Sequence, residues 1–297
     1  MLELGQTLPE HSLFSDEVFA MTFKSLKNQN DAEIIQDIGQ LMVPRAKTLA
    51  IQGANHLKIL EQSANKGWKC SIPLVGPCPQ PDYCVGFNKK AFTETQLTKL
   101  SPFLDGILEG NTGRSFFTAT PEILFPFLAC EVKSGTGALE TSDRQNAHSM
   151  TLAVRGIVLL FCLVDCQREL NRTILAFSIS HDSDSARIYG HYPVFDESGA
   201  FRYFRHEIAK FFLVGENDKN RWTAYQFTKN IYDVWMTEHL KRIQSAIDQF
   251  PDEWAFNAPK LSYVSSAARK LRALAERGEV HFGSETRRRG FRNDAHE

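Results

Sequence analysis

The stretch Phe127-Leu128-Ala129-Cys130-Glu131-Val132-Lys133-Ser134 carries the reading of this chain. It is a short apolar run closed by Gly135 and Gly137, which predicts a buried strand ending in a turn. Side chains alternate along a strand, so Glu131 and Lys133 fall on one face and Cys130 and Val132 on the other. An acid and a lysine at the end of an apolar strand are costly to bury without partners. A strand-end ion pair would satisfy them, and so would a binding site.

Downstream, Asp143 stands where a helix N-cap is expected, and the helix it opens runs to about Asp165. Its second half, Val154 to Val164, is apolar nearly all round and should be buried on several sides. Thr173 to Ser180 and Arg187 to Phe195 are β-rich runs joined by the polar loop His181-Asp182-Ser183-Asp184, a hairpin pattern in which that loop is a turn rather than a metal site. Phe201 to Val214 predicts a further strand. Asn220 to Phe250 predicts one long helix, with Phe227, Ile231, Val234, Leu240, Ile243 and Ile247 on its apolar face.

Upstream, prolines alternate with short apolar runs from Trp68 to Phe87, which suits short strands and turns, Asp82 to Phe87 among them. Phe92 to Leu104 reads as a helix and Gly106 to Gly113 as a loop. Asp31 reads as the N-cap of a helix through Ile34, Ile38 and Met42, stopped by Pro44, and a second helical pattern spans Ala46 to Gln62. Residues 1–30 lack a clear period and read as a poorly ordered arm, 31–260 as a single domain and 261–297 as a basic, flexible tail. The order of elements gives a mixed α/β (α+β) chain around one sheet.

Composition narrows the classes. The chain has 297 residues, 42% hydrophobic and 23% charged, enough for a sizeable core and unlike a disordered or fibrous protein. No uninterrupted apolar run is long enough for a membrane span, and early acids argue against a leader peptide. Six cysteines without matching histidine spacing point to reduced thiols in an intracellular protein, nuclear or cytoplasmic, rather than to disulfides or zinc. Net charge is −1, which excludes a protein that coats phosphate over its whole surface. The residues after Lys260 carry +3 and the rest −4. Nucleotide-binding glycine loops and a GxSxG elbow are missing from the sequence.

Pro81-Asp82 opens the strand Asp82 to Phe87. Antiparallel pairing of that strand with Phe127 to Ser134 would set the Asp82 carboxylate beside Glu131. Two carboxylates with a backbone oxygen, such as the Val132 carbonyl, suit Mg²⁺ or Mn²⁺, which would activate a water against a phosphodiester. Lys133 would orient that water or neutralise charge on the phosphate. The plain alternatives are turn chemistry for Asp82 and a structural ion pair for Glu131 and Lys133.

Pro81-Asp82, then Glu131-Val132-Lys133, then the helix Asp143-Arg144-Gln145-Asn146-Ala147-His148-Ser149 resemble the PD-(D/E)XK nuclease-like superfamily. Trp222-Thr223-Ala224-Tyr225 and Ile231-Tyr232-Asp233-Val234-Trp235 extend a closer likeness to a fungal group of uncharacterised function assigned to that fold. The resemblance implies a restriction-endonuclease-like core, a mixed central sheet flanked by helices. It implies Asp82 and Glu131 as metal ligands, Lys133 as the catalytic cation, Gln145 as a polar group at the site and Glu33 as a third carboxylate. Ser149 stands where relatives often carry tyrosine, and the long gap between Asp82 and Glu131 calls for an insertion around Asn88 to Glu122. The implied activity is a Mg²⁺-dependent nuclease acting on DNA or RNA. The alternative is an inactive scaffold of the same fold that binds a protein or nucleic-acid partner. Arg287-Arg288-Arg289-Gly290-Phe291-Arg292 would serve as an import signal, a nucleic-acid contact or a solvated terminus.

Overall fold

The computed structural model describes residues 2–104, 113–134, 138–214 and 218–251, and residue 273. The basic tail 261–297, with its arginine run, otherwise lies outside the described residues, as does most of the loop expected at Gly106 to Gly113.

A seven-stranded mixed sheet forms the centre. Its strands are β1 (Leu60–Ala64), β2 (Tyr83–Phe87), β3 (Thr118–Thr120), β4 (Ile123–Val132), β5 (Ala176–His181), β6 (Ser185–Phe195) and β7 (Phe201–Phe212), and the helices are α1 (Phe19–Leu26), α2 (Asp31–Met42), α3 (Ala46–Ile51), α4 (Glu94–Leu104), α5 (Ala138–Leu163), α6 (Thr223–Asn230) and α7 (Met236–Asp248). The order across the sheet is β1-β2-β4-β5-β6-β7, with β3 also paired to β4. β2 runs antiparallel to β4, and β4 parallel to β5. A parallel neighbour requires a crossover, and α5 supplies it. The expected pairing of the Asp82 strand with the Glu131 strand is therefore observed, and α4 and β3 occupy the long stretch between them.

α5 covers one face. Asn146 Nδ2 donates to the Ile179 carbonyl at 2.9 Å and to Ser180 Oγ at 3.0 Å. Val154, Val158, Leu159 and Leu160 of its second half are fully buried, as its all-round apolar pattern requires. By length and hydropathy Leu139–Leu163 would pass as a membrane span, but 89% of its most apolar window is buried, the position of a core helix. α2 and α6 cover the other face. Tyr83 Oη donates to the Ile35 carbonyl at 3.2 Å, and the ring crosses α2 where Gly39 has no side chain. A Cβ at Gly39 would strike the Tyr83 hydroxyl, so glycine lets α2 lie close on β2.

Several elements depart from expectation. Residues 2–30 are anchored to the body at a few points: Phe14 is fully buried against Phe19 and Trp222, which replaces periodicity by aromatic anchoring. The helix expected over Ala46 to Gln62 stops at Ile51, because Gly53 turns the chain at φ +115°, and Leu60–Ala64 becomes an edge strand. α5 begins at Ala138, so Asp143 lies inside it rather than at its cap. The long C-terminal helix is α6 and α7 joined by a π turn over Ile231–Trp235.

Candidate functional site

β4 is buried along its whole length, and its alternation turns Glu131 toward the α5 face beside Ser180, its register partner on β5. Glu131 is 2% exposed. Among the described residues its carboxyl group has no hydrogen-bond or ion-pair partner. β2 brings a second carboxylate to the same place. Tyr83 pairs with Cys130, so Asp82 arrives next to Glu131, and its Oδ2 accepts the Val132 N–H at 2.7 Å.

The crowding shows in the acidities. Burial first, and then the charge of Asp82, push the Glu131 carboxyl up to about 8 against the pull of Lys133. Asp82 is raised as well, chiefly by burial, while the Val132 N–H and Lys133 draw it down and Asp31 pushes it up. A buried acid pair of this kind holds a proton at neutral pH unless a cation replaces it.

Lys133 closes the rim. Its Nζ donates to the Val132 carbonyl at 2.9 Å and stands 3.6 Å from Asp31 Oδ2. The Val132 carbonyl, expected as a metal ligand, is thus the acceptor of the lysine. The carbonyl nearest a lysine at a strand end is within easy reach of a back-folded side chain, and it keeps one lone pair for another donor or a cation.

Glu33 is not at the site. Asn30, not Asp31, is the N-cap of α2, and the Glu33 carboxylate accepts the Asn30 N–H at 2.8 Å while Asn30 Oδ1 accepts the Glu33 N–H, a reciprocal capping box. That one-residue shift frees Asp31, whose Oδ1 accepts the Ser134 N–H just past β4. The first long helix does send a carboxylate to the end of β4, but from Asp31. The sequence carried the signal in Asn30 and Glu33, three apart.

Gln145 is exposed on α5, and the polar side chain that α5 turns into the sheet at this level is the neighbouring Asn146, fully buried with its Oδ1 unpartnered among the described residues. Ser149 is buried, and its hydroxyl turns back to the Gln145 carbonyl at 3.1 Å. His148 is half-buried, with its pKa lowered mainly by burial and then by the charge of Arg155. Arg155 is itself buried over Phe116 and donates to the Ile72 carbonyl, so it is a packing residue rather than a solvated one. In the hairpin loop Asp182 Oδ1 accepts the N–H groups of Asp184 and Ser185, both at 2.7 Å, which makes it the expected turn.

A family model described as Domain of unknown function (DUF7924) matches residues 18–247. The chain belongs to that family. Within the DUF7924 span lie Asp31, Asp82, Glu131, Lys133 and Asn146, so the site belongs to the matched region. No curated protein and no solved structure matches the chain.

The donor set sets what the site can hold. Among the described residues no group of three or more His, Cys, Asp or Glu side chains is arranged to hold a metal ion. A cation here would rest on the Asp82 and Glu131 carboxylates with water completing its shell, which is the usual habit of Mg²⁺. The unpartnered, proton-holding Glu131 beside Asp82 fits such a cation, since a divalent charge relieves the repulsion between them.

Proposed function

We propose that this chain is a Mg²⁺-dependent phosphodiesterase of the PD-(D/E)XK nuclease-like type, acting on DNA or RNA. The observation that carries the reading is the convergence of Asp82, Glu131 and Lys133 on adjoining ends of β2 and β4, with Glu131 buried and unpartnered among the described residues. A restriction-endonuclease-like core is supported by the mixed sheet flanked by helices, with the motif strand leading into α5.

Asp82 and Glu131 would hold the metal, and Mg²⁺ when bound polarises a phosphodiester and acidifies an attacking water. Asp82 is held in place by the Val132 N–H. Glu131 would give up its proton to solvent to serve as a ligand. Lys133, at the rim with 27% of its side chain exposed, offsets charge that grows on the phosphate. Asp31 holds Ser134, just past β4, through its N–H and faces the lysine, which positions Lys133.

A second reading, the inactive scaffold, is favoured by one contact: the Asp82–Val132 bond fastens the ends of β2 and β4 without any metal. The test is cleavage. Pure protein with Mg²⁺ is incubated with single- and double-stranded DNA and RNA at pH 8. The nuclease reading expects cleavage that EDTA stops and that falls at least ~100-fold in Asp82→Asn and in Lys133→Met. Cleavage that survives both substitutions removes this site from the activity. No cleavage by the wild type leaves the scaffold.

A further inference from the structure

At the β1 edge of the same sheet, one strand over from the β2–β4 pair that carries the acids, lies a groove of about 660 Å³. Four cations line it, Arg45, Lys47, Lys58 and Lys90, against the single carboxylate Glu61. All four are exposed, and among the described residues none has a carboxylate partner. This local excess of +3 stands in a chain whose net charge is −1.

The four cations come from three separate local structures that are tied together. Arg45 and Lys47 belong to the first turn of α3, whose Ala46 N–H donates to Gln62 Oε1 on β1 at 3.3 Å. Lys58 lies in the 3₁₀ turn Asn55–Ile59 and Lys90 in the turn Lys89–Ala91. Asn88 joins these two turns: its Nδ2 donates to the Lys58 and Leu60 carbonyls at 3.0 and 3.1 Å, and its Oδ1 accepts the Lys90 N–H at 2.9 Å. Like charges gathered on fixed backbone repel one another, and a polyanion relieves that repulsion.

The groove is also linked to the acid pair through the backbone. The Asn65 N–H, just after β1, donates to the Asp82 carbonyl at 2.9 Å. Gln62 is three residues back from Asn65, roughly 10 Å along the strand at its usual rise. That distance equals about three base steps of a nucleic acid.

We propose that this groove binds the phosphodiester backbone of a nucleic-acid strand, through Arg45, Lys47, Lys58 and Lys90. The proposal deepens the nuclease reading and rests on it for the identity of the polyanion. The groove supplies the cations that an acidic body lacks, and it reads phosphates rather than bases, so binding is indifferent to sequence.

The test is fluorescence anisotropy of the full chain with a labelled 20-nucleotide single strand of DNA in EDTA, so that no cleavage occurs, over a range of salt. Lys58→Gln combined with Lys90→Gln should weaken binding by ~10-fold or more at 0.1 M salt and reduce the slope of log K against log salt by about 1.5. Arg45→Gln with Lys47→Gln should do the same independently. Wild-type affinity and slope in both double variants overturn the proposal, and so does a wild type that binds no strand. Increased self-association of the variants with unchanged DNA binding also overturns it, because the cations then serve only to guard the β1 edge. Circular dichroism confirms that the variants are folded. Failure of the groove leaves the Mg²⁺ response of Asp82 and Glu131 intact, whereas failure of the nuclease reading removes that response and leaves strand binding in EDTA to be judged alone.

Discussion

Two carboxylates lie on the α5 face of this sheet in different company. Asp143, on α5, is 4% exposed, and its Oδ2 accepts Arg187 Nη1 at 2.7 Å and the Tyr189 hydroxyl at 3.1 Å. Glu131, on β4, is 2% exposed, has no such partner among the described residues and faces another carboxylate. The two are close in the fold: Glu131 is in register with Ser180, and Ser180 with Arg187. One acid is therefore neutralised by the protein itself, while the other is left with a proton. The first is an arrangement that holds the sheet to its helix, and the second is an arrangement that a cation would complete.

The largest effect should come from breaking the satisfied side. Arg187→Ala leaves the Asp143 charge buried with only a tyrosine hydroxyl, a loss of about 3 kcal/mol, or roughly 6–12 °C in melting temperature. The response of that variant to Mg²⁺ should stay as in the wild type, read by melting with and without the metal.

The unsatisfied side should behave in the opposite sense. Glu131 binds a proton more tightly folded than unfolded, so its contribution to stability is complete below about pH 4.5 and is lost as pH rises toward 8. Metal-free wild type should lose stability across that window. Glu131→Gln, which cannot ionise, should melt higher than wild type at pH 8.5 by up to a few kcal/mol, at ~1.4 kcal/mol per pKa unit. It should also lack the stabilisation by Mg²⁺ that the proposed site predicts for the wild type. Melting curves at pH 5 and 8.5, with and without Mg²⁺, check both halves. A Glu131→Gln protein that is less stable at pH 8.5 would mean that the carboxylate is already satisfied.

The smallest effect separates the two acids of α2. Glu33→Ala removes half of a capping box and should cost about 0.5–1 kcal/mol with no change in Mg²⁺ response. Asp31→Asn should weaken Mg²⁺ binding a few-fold instead, since its charge reaches Asp82 and Lys133. Equal responses in the two variants would erase the distinction.

How much of this was legible in the residues depends on how local the signal is. The pairing of β2 with β4 follows from two short apolar runs and their alternation, so the meeting of Asp82 and Glu131 could be read in advance. The hairpin of β5 and β6 is local as well, with Asp182 forming its turn. β1 was hidden because Leu60-Glu61-Gln62-Ser63-Ala64 is an edge strand, half exposed and too polar to stand out from a helix that Gly53 had already ended. The arm 2–30 was hidden because its anchoring depends on Phe14 meeting Trp222, a contact between distant positions. At the site, two assignments carried over from the resemblance moved to neighbouring residues. Asn30 took the cap, so Asp31 rather than Glu33 faces β4, and the α5 residue turned into the sheet is Asn146 rather than Gln145. A short motif shared with relatives marks the element, while caps and packing decide which residue of it turns to the site.

The central claim is that Asp82 and Glu131 form a cation site kept protonated in the metal's absence. Calorimetric titration of Mg²⁺ into the protein at pH 7, in two buffers of different ionisation enthalpy, measures the protons released on binding. The account predicts saturable binding with release of about one proton, and no such release in Glu131→Gln. Binding heat that is independent of the buffer, or that persists unchanged in Glu131→Gln, would contradict it.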